Sequence, residues 1–239
     1  MIENVKTKAT AVIDEGLRNH MLRVYNFMTV GLIITALAAF LVLNTPLIGL
    51  FFSVAPSGQV VGLSPLGWIA LFAPLALIFM FGSIIARGSA KQAQTAFWVF
   101  SAVMGISLSP VLVAYTGASI TRVFLITAAT FGAMSIYGYT TKKDLTSMGS
   151  FLIMGVWGLI IASIVNIFMA SPGLYYAISF LAVFIFTGLT AYDTQKIREM
   201  YYSSHEGNAA QLAVLGALAL YMDFINLFIA LLRFFGDRR

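Results

Sequence analysis

The chain has 239 residues, of which 60% are hydrophobic and only 10% are charged. A soluble domain is nearer half apolar and a quarter charged, so this composition excludes an ordinary water-soluble fold and indicates a membrane protein. The absence of cysteine excludes disulfide frameworks and thiolate metal sites, and the two histidines, His20 and His205, give no metal-ligand spacing. The net charge of +5 is small and its cations flank apolar segments, which suggests membrane topology rather than nucleic-acid binding.

Apolar segments follow one another along the chain with short polar connections. Residues 1–23 are polar and form a predicted cytoplasmic N-terminal segment ahead of a single transmembrane domain, residues 24–239. Helical crossing of the hydrocarbon core needs ~20 residues, and closed barrels would need period-two alternation, which is missing. The sequence therefore predicts an all-α membrane protein with seven spans, at residues 24–43, 66–86, 93–115, 123–139, 149–170, 174–192 and 209–232.

Local signals mark several helix ends and packing positions. Residues 44–65 carry no charge and several prolines and are predicted to form a loop, and Ser64 followed by Pro65 is typical of a helix start. Ser89 and Gln92 form a capping-box pattern ahead of the third span. Two prolines inside spans should kink them, Pro74 and Pro110. Two pairs of small residues at helical spacing are predicted packing sites, Gly31 with Thr35 and Ala128 with Gly132.

The distribution of Lys and Arg predicts the orientation. The N-terminal segment and the 2–3, 4–5 and 6–7 connections are basic, whereas Arg122 is the only cation in the loops of the other side, so the N-terminus is expected to be cytoplasmic. Seven crossings would leave Arg233, Arg238 and Arg239 on the outer side. Six crossings with a re-entrant last segment would bring them inside, and the charge count leaves both open.

Asp223 lies inside the last apolar segment, where a lipid-facing carboxylate costs roughly 3 kcal/mol on insertion scales. It should therefore face the bundle interior and have a partner. Asn226 shares its helical face, and Gly216 would let another helix approach closely. This polar stripe predicts a central last helix surrounded by the others. The alternative is a protonated structural acid that hydrogen-bonds a neighbouring helix.

Asp193 lies at the predicted cytoplasmic end of the sixth span, with Thr190 on the same face. By itself it could be an ordinary interfacial acid paired with Lys196 or Arg198. The seventh span begins on the same side, however, so Asp193 and Asp223 can meet in the inner half of the membrane. Two carboxylates at low dielectric cannot both ionise cheaply and would share a proton, which predicts a pH-sensitive latch between these two helices.

Arg87 ends the second span on the same side and could offer a competing partner to one aspartate. A positive-inside anchor is the more ordinary interpretation of this arginine.

Four segments resemble the Bax inhibitor family, also called the transmembrane Bax inhibitor motif family, in its bacterial type. They are VYNFMTVGLIITALAA in the first span, ARGSAKQAQTAFWVFSAVMGISLSPVL around the third, TKKDLTSMGSFLIMGVWGLIIASIVNIF around the fifth, and FTGLTAYDTQKI, which contains Asp193. The resemblance implies seven helices with the last enclosed by the other six. It also implies a pH-sensitive calcium leak, gated by an aspartate pair that Asp193 matches by motif and Asp223 by position. An arginine of the second helix belongs to the implied switch, and Arg87 is the candidate here.

Three functions remain open at this point. The first is a passive calcium path gated by Asp193 and Asp223, with Asn226, Thr190 and backbone carbonyls completing a weak, transient set of oxygen ligands and no tightly bound cofactor. The second is an intramembrane aspartyl protease, disfavoured because Asp223 lacks the Gly-x-Gly that precedes the second aspartate of that family. The third is a non-transporting regulator that binds other membrane proteins, such as a quality-control protease. We expect a non-enzymatic protein of a bacterial inner membrane, with lipid and calcium ions as its partners.

Overall fold

The computed structural model of the chain describes residues 2–57, 59–203 and 209–239, and for residues 2–14 and 83–87 it describes the backbone only. The described helices are α1 (Ile2–Asn44), α2 (Ile48–Phe51), α3 (Pro65–Arg87), α4 (Ala90–Val113), α5 (Gly117–Thr140), α6 (Thr146–Met169), α7 (Pro172–Ser203) and α8 (Ala209–Phe235). All except α2 are long and apolar enough to cross a membrane, which makes seven candidate spans in the described chain. The predicted all-α, multi-pass membrane fold is confirmed.

The chain divides into two compact units. The first comprises residues 1–25 and 117–237, and the second comprises residues 26–116 and 238–239. Helix α8 is the most buried span: 67% of the residues in its most apolar window are buried. Within its own unit α8 packs against α7 and α5, which fits the prediction of a central last helix.

The second unit contains the rest of α1, the short helix α2, α3, α4 and a β-hairpin. The hairpin pairs β1 (Phe52–Val54) with β2 (Val60–Leu63) in antiparallel register, Phe52 opposite Leu63. The predicted loop over residues 44–65 was therefore wrong in part, since it contains both a helical turn and the hairpin. Prolines 46 and 56 flank these pieces and do not interrupt them.

Local predictions at helix starts are confirmed. Ser64 Oγ accepts a hydrogen bond from the Gly67 N–H at 3.0 Å, with Pro65 as the first residue of α3. At the start of α4, Ser89 and Gln92 form both bonds of the capping box.

The two internal prolines lie within continuous helices. Pro110 has no N–H, so the Ile106 carbonyl one turn earlier loses its ordinary donor. The Ser109 hydroxyl donates to that carbonyl at 2.6 Å and replaces the missing bond. In α3, the segment around Pro74 receives a hydrogen bond from α4, since Ser107 Oγ donates to the Leu71 carbonyl at 3.0 Å.

The two predicted packing pairs differ in outcome. Thr35 is buried and its hydroxyl donates to the Ser101 carbonyl of α4 at 2.9 Å. Ala128 is exposed, and a side chain added at Gly132 would meet nothing within 4 Å. The prediction for the second pair was wrong, because small size permits close packing without requiring it.

The end of the chain resolves the topology question. Helix α8 continues without interruption for 27 residues. Beyond it, Asp237 forms an ion pair with Arg122 at 2.8 Å, and the Arg239 N–H donates to the Ala114 carbonyl at 3.1 Å. The C-terminus therefore lies at the α4–α5 connection, as a full seventh crossing requires. A re-entrant last segment does not fit this arrangement.

Candidate functional site: an aspartate pair between α7 and α8

Helix α7 carries Asp193 well inside its length. The sixth span was predicted to end at Tyr192, but the helix continues to Ser203. Several residues of this extension are buried, including Thr194, Gln195 and Ile197. Packing within the unit therefore stabilises a helix in a segment whose polar sequence is typical of a connection.

Helix α8 carries Asp223 on a face that is almost entirely buried. Asp223 is 4% exposed, and Leu220 and Leu227, three residues before it and four after it, are fully buried. The sequence-based inference that this carboxyl group faces the interior is confirmed by its burial.

The structure brings Asp193 and Asp223 together. Their carboxyl groups lie on adjacent helices and are close enough to interact with each other. A hydrogen bond between two carboxyl groups requires a proton on one of them, because an ionised carboxylate only accepts. The Oδ2 atom of Asp223 is buried and has no hydrogen-bond partner among the described residues. The pair therefore places two carboxyl groups close together in a low-dielectric setting, and Asp223 has no donor group of another described residue on its buried Oδ2.

The two cations that follow Asp193 have different surroundings. Lys196 lies close enough to Asp193 to attract it electrostatically, and its Nζ is 5.8 Å from the centre of the Tyr192 ring. Arg198 instead donates from Nη1 to the carbonyls of Tyr139 at 2.6 Å and Thr141 at 3.3 Å. Arg198 thus caps the C-terminal end of α5, where a cation is favourable, and the suggested Asp193–Arg198 pairing was wrong.

For the other three predicted site residues, the structure gives a position in a helix but no hydrogen bond to the aspartate pair among the side chains it describes. Thr190 is fully buried one turn before Asp193, and its hydroxyl donates to the Phe186 carbonyl at 2.8 Å. Asn226 is partly buried one turn after Asp223. Arg87 is the last residue of α3, and its side chain lies outside the described residues.

Gln195 is a residue of this region that the sequence analysis missed. Its Nε2 donates to the Lys143 carbonyl at 2.8 Å, and its Oε1 accepts from the Leu145 N–H at 2.8 Å. Together with Arg198 it attaches the α5–α6 connection to the same part of α7 that holds Asp193. The available signal was a polar residue two positions after Asp193 and one helical turn beyond Ala191, on the face that the structure buries.

Glycines allow the backbones around the pair to approach closely. A side chain at Gly138 of α5 would collide with the backbone carbonyl of Ala191, two residues before Asp193. A side chain at Gly216 of α8 would lie 3.0–3.2 Å from Ile197 side-chain atoms, which confirms the prediction that Gly216 permits close helix packing.

The oxygen atoms near the aspartate pair limit how tightly a metal ion could bind there. In the part of the chain that the structure describes, no three His, Asp or Glu side chains gather into a cluster. The aspartate pair offers two carboxylates, fewer than the six to eight oxygens that calcium takes. Any further ligands would have to be hydroxyl, amide, carbonyl or water oxygens.

Comparison with known proteins places the chain in a family. The family model described as "Inhibitor of apoptosis-promoting Bax1" (Bax1-I) matches residues 17–239. The chain is similar to protein RP147 of Rickettsia prowazekii, with 45% identity over all of both chains. It is also similar to the inner membrane protein YbhL of Escherichia coli K12, with 42% identity over 94% of each chain. The chain therefore belongs to the Bax inhibitor family of integral membrane proteins.

Proposed function

We propose that this protein is a pH-sensitive passive calcium leak, gated by Asp193 and Asp223. The observation that carries the proposal is that two carboxyl groups lie close together on the packed helices α7 and α8, with Asp223 deeply buried. A purely structural acid would be expected to face hydrogen-bond donors rather than a second acid.

The direction in which the leak responds to pH follows from the number of protons that the two carboxyl groups hold. With one proton held, the pair links α7 to α8 through a hydrogen bond. When that proton is lost, two carboxylates face each other and repel. The link is therefore present at low pH and lost as the pH rises, so we expect the calcium leak to increase with pH.

The chemistry of the pair suits passage of a cation rather than its storage. Calcium prefers hard oxygen ligands, and the doubly ionised pair would supply two carboxylates of opposite charge to the ion. Thr190 and Asn226 offer neighbouring hydroxyl and amide oxygens on the same two helices. Such a small set binds weakly, which permits the ion to leave. The proposed mechanism involves no bond making or breaking, so it describes a non-enzymatic protein.

The leak is tested by reconstituting the purified full chain in liposomes and measuring calcium entry across a pH series. We expect wild-type flux to rise with pH. Asp193→Asn, Asp223→Asn and the double variant should lose this dependence, because asparagine keeps a hydrogen-bonding side chain but cannot ionise. Asp144→Asn is the matched control, since Asp144 is an exposed acid of the α5–α6 connection and should keep the wild-type profile.

Two results would overturn the proposal. Wild-type flux equal to that of empty liposomes at every pH would exclude a leak. A pH dependence that persists in the double variant would exclude the aspartate pair as its sensor.

We also propose an inner-membrane location with a cytoplasmic N-terminus. The location rests on the similarity to YbhL, whose name describes an inner membrane protein. The orientation rests on the Lys and Arg residues at the 2–3 and 4–5 connections and in the C-terminal part of α7. Labelling of single cysteines introduced into this cysteine-free chain tests the orientation directly. A cysteine at Lys142 should react with a membrane-impermeant reagent only from the cytoplasmic side.

A further inference from the structure

A groove between α3 and α4 has one polar end and one apolar end. It is an open groove with a volume of about 880 Å³ and lies entirely within the second unit. Its polar end is formed by Gly88, Ser89 and Lys91 at the start of α4, and its apolar end by Leu77 and Val99. This volume is within the ~300–1,000 Å³ of ordinary ligand sites. The groove therefore suits a ligand that is itself polar at one end and apolar along its length.

The charge at the polar end is positive and unopposed within the unit. Residues 26–116 contain no Asp or Glu, so Lys91 has no acidic side chain of its own unit to pair with. The first turn of α4 adds backbone N–H groups without intrahelical acceptors, since the capping box uses only the N–H groups of Ser89 and Gln92. A cation beside a helix N-terminus attracts an anion.

The length of the groove matches one leaflet of a bilayer. From Leu77 to Arg87 the helix rises about 15 Å at ~1.5 Å per residue. That is half of a hydrocarbon core of ~30 Å. Beyond Leu77 and Val99 a second groove of about 680 Å³ continues toward Trp68, and its lining is apolar and aromatic. The anionic group of a ligand is thus confined to the Lys91 end.

We propose that this groove binds an anionic phospholipid of the leaflet that borders the α3–α4 connection. The headgroup phosphate lies at Lys91 and the first turn of α4. One acyl chain lies along the groove beside Phe81, Ala96 and Val99. The site is independent of the proposed calcium leak and is tested without measuring flux.

Native mass spectrometry of the detergent-purified full chain tests the site. The protein is mixed with palmitoyl-oleoyl phosphatidylglycerol or with phosphatidylcholine carrying the same chains, and the lipid retained per protein is counted. One basic residue at an anionic headgroup corresponds to about a fivefold preference, so wild type should retain phosphatidylglycerol about fivefold better. Lys91→Gln should reduce this preference to near equality.

Matched variants separate a specific site from general attraction. Lys142→Gln removes an exposed cation from another connection and should keep the fivefold preference. Ala96→Phe fills the groove and should lower the retention of both lipids, whereas Ala128→Phe, at an exposed position of α5, should not. Circular dichroism of each variant checks that the helices remain.

Three results would overturn the proposal. Equal retention of the two lipids by wild type would exclude headgroup selection. Equal losses in Lys91→Gln and Lys142→Gln would indicate attraction by net charge rather than a site. Unchanged retention in a folded Ala96→Phe variant would place the lipid outside this groove.

Discussion

Helices α6 and α8 belong to the same unit and are comparably apolar, yet their surroundings are opposite. In the most apolar window of each helix, 6% of the residues are buried in α6 and 67% in α8. The exposed side chains of α6 are large and apolar, such as Trp157, Ile167 and Phe168. The buried face of α8 instead carries Asp223 among small, aliphatic and aromatic residues.

The comparison shows what apolarity can and cannot indicate in a membrane protein. Lipid tails are as apolar as leucine, so hydropathy indicates that a helix crosses the membrane but not which neighbours it has. An ionisable side chain does carry that information, because exposing it to lipid costs several kcal/mol, roughly 3 on insertion scales. Asp223 is therefore a better predictor of the central position of α8 than the apolar residues around it.

The largest expected effect is on the free energy of unfolding, and it tests the difference in packing between α8 and α6. Leu220→Ala in α8 leaves a cavity at a fully buried position and should lower the free energy of unfolding by about 2–5 kcal/mol. Ile161→Ala in α6, at a position that is 61% exposed, should change it by no more than about 0.5 kcal/mol. Unfolding in mixed detergent micelles, followed by circular dichroism, measures both. Similar losses in the two variants would contradict the burial difference.

A smaller effect is expected where α6 is attached to the rest of its unit. Gln195→Ala removes both bonds to the α5–α6 connection and leaves the Leu145 N–H buried without an acceptor. The free energy of unfolding should fall by about 1–3 kcal/mol. Glu199→Ala, an exposed position one turn further along α7, is the matched control and should stay within about 0.5 kcal/mol of wild type. Equal values for the two variants would show that the Gln195 bonds do not stabilise the fold.

The smallest expected effect concerns the first turn of α6. The Thr146 side chain and the Thr146 N–H, at 2.8 Å, hydrogen-bond Asp144 and lower the pKa of its carboxyl group below the ordinary value. A lowered pKa means that this stabilisation is complete above the ordinary aspartate pKa and is lost as the pH falls through the lowered one. An NMR titration of Asp144 in micelles should therefore give a midpoint below that of free aspartate, and Asp144→Asn should remove the acid-induced shift of the Thr146 amide. A midpoint at or above the free value would contradict the assignment.

The candidate site was predictable in part. Asp223 could be identified because a carboxyl group deep in an apolar segment needs a reason to be there. Asp193 was harder to identify as a site residue, since its position beside Lys196 and Arg198 is also typical of an ordinary acid at the membrane interface. Its proximity to Asp223 depends on α7 continuing past Tyr192, and no local pattern predicted that continuation.

The sequence by itself determined the features that depend on local energetics. The number of spans follows from the length of apolar runs that lipid requires, and the starts of α3 and α4 follow from capping chemistry at Ser64 and Ser89. Both features depend on interactions between residues a few positions apart, or between one segment and the surrounding lipid. Each can therefore be predicted from a single segment of the sequence.

Only the tertiary structure decided the features that depend on distant partners. The bonds of Gln195 and Arg198 that hold the α7 extension against the α5–α6 connection join residues 50 or more positions apart. The return of the C-terminus to the α4–α5 connection joins residues 115 positions apart. Polar groups in such a bundle must find donors and acceptors within the protein, because lipid supplies none. Which partner each group finds is set by how the helices pack together.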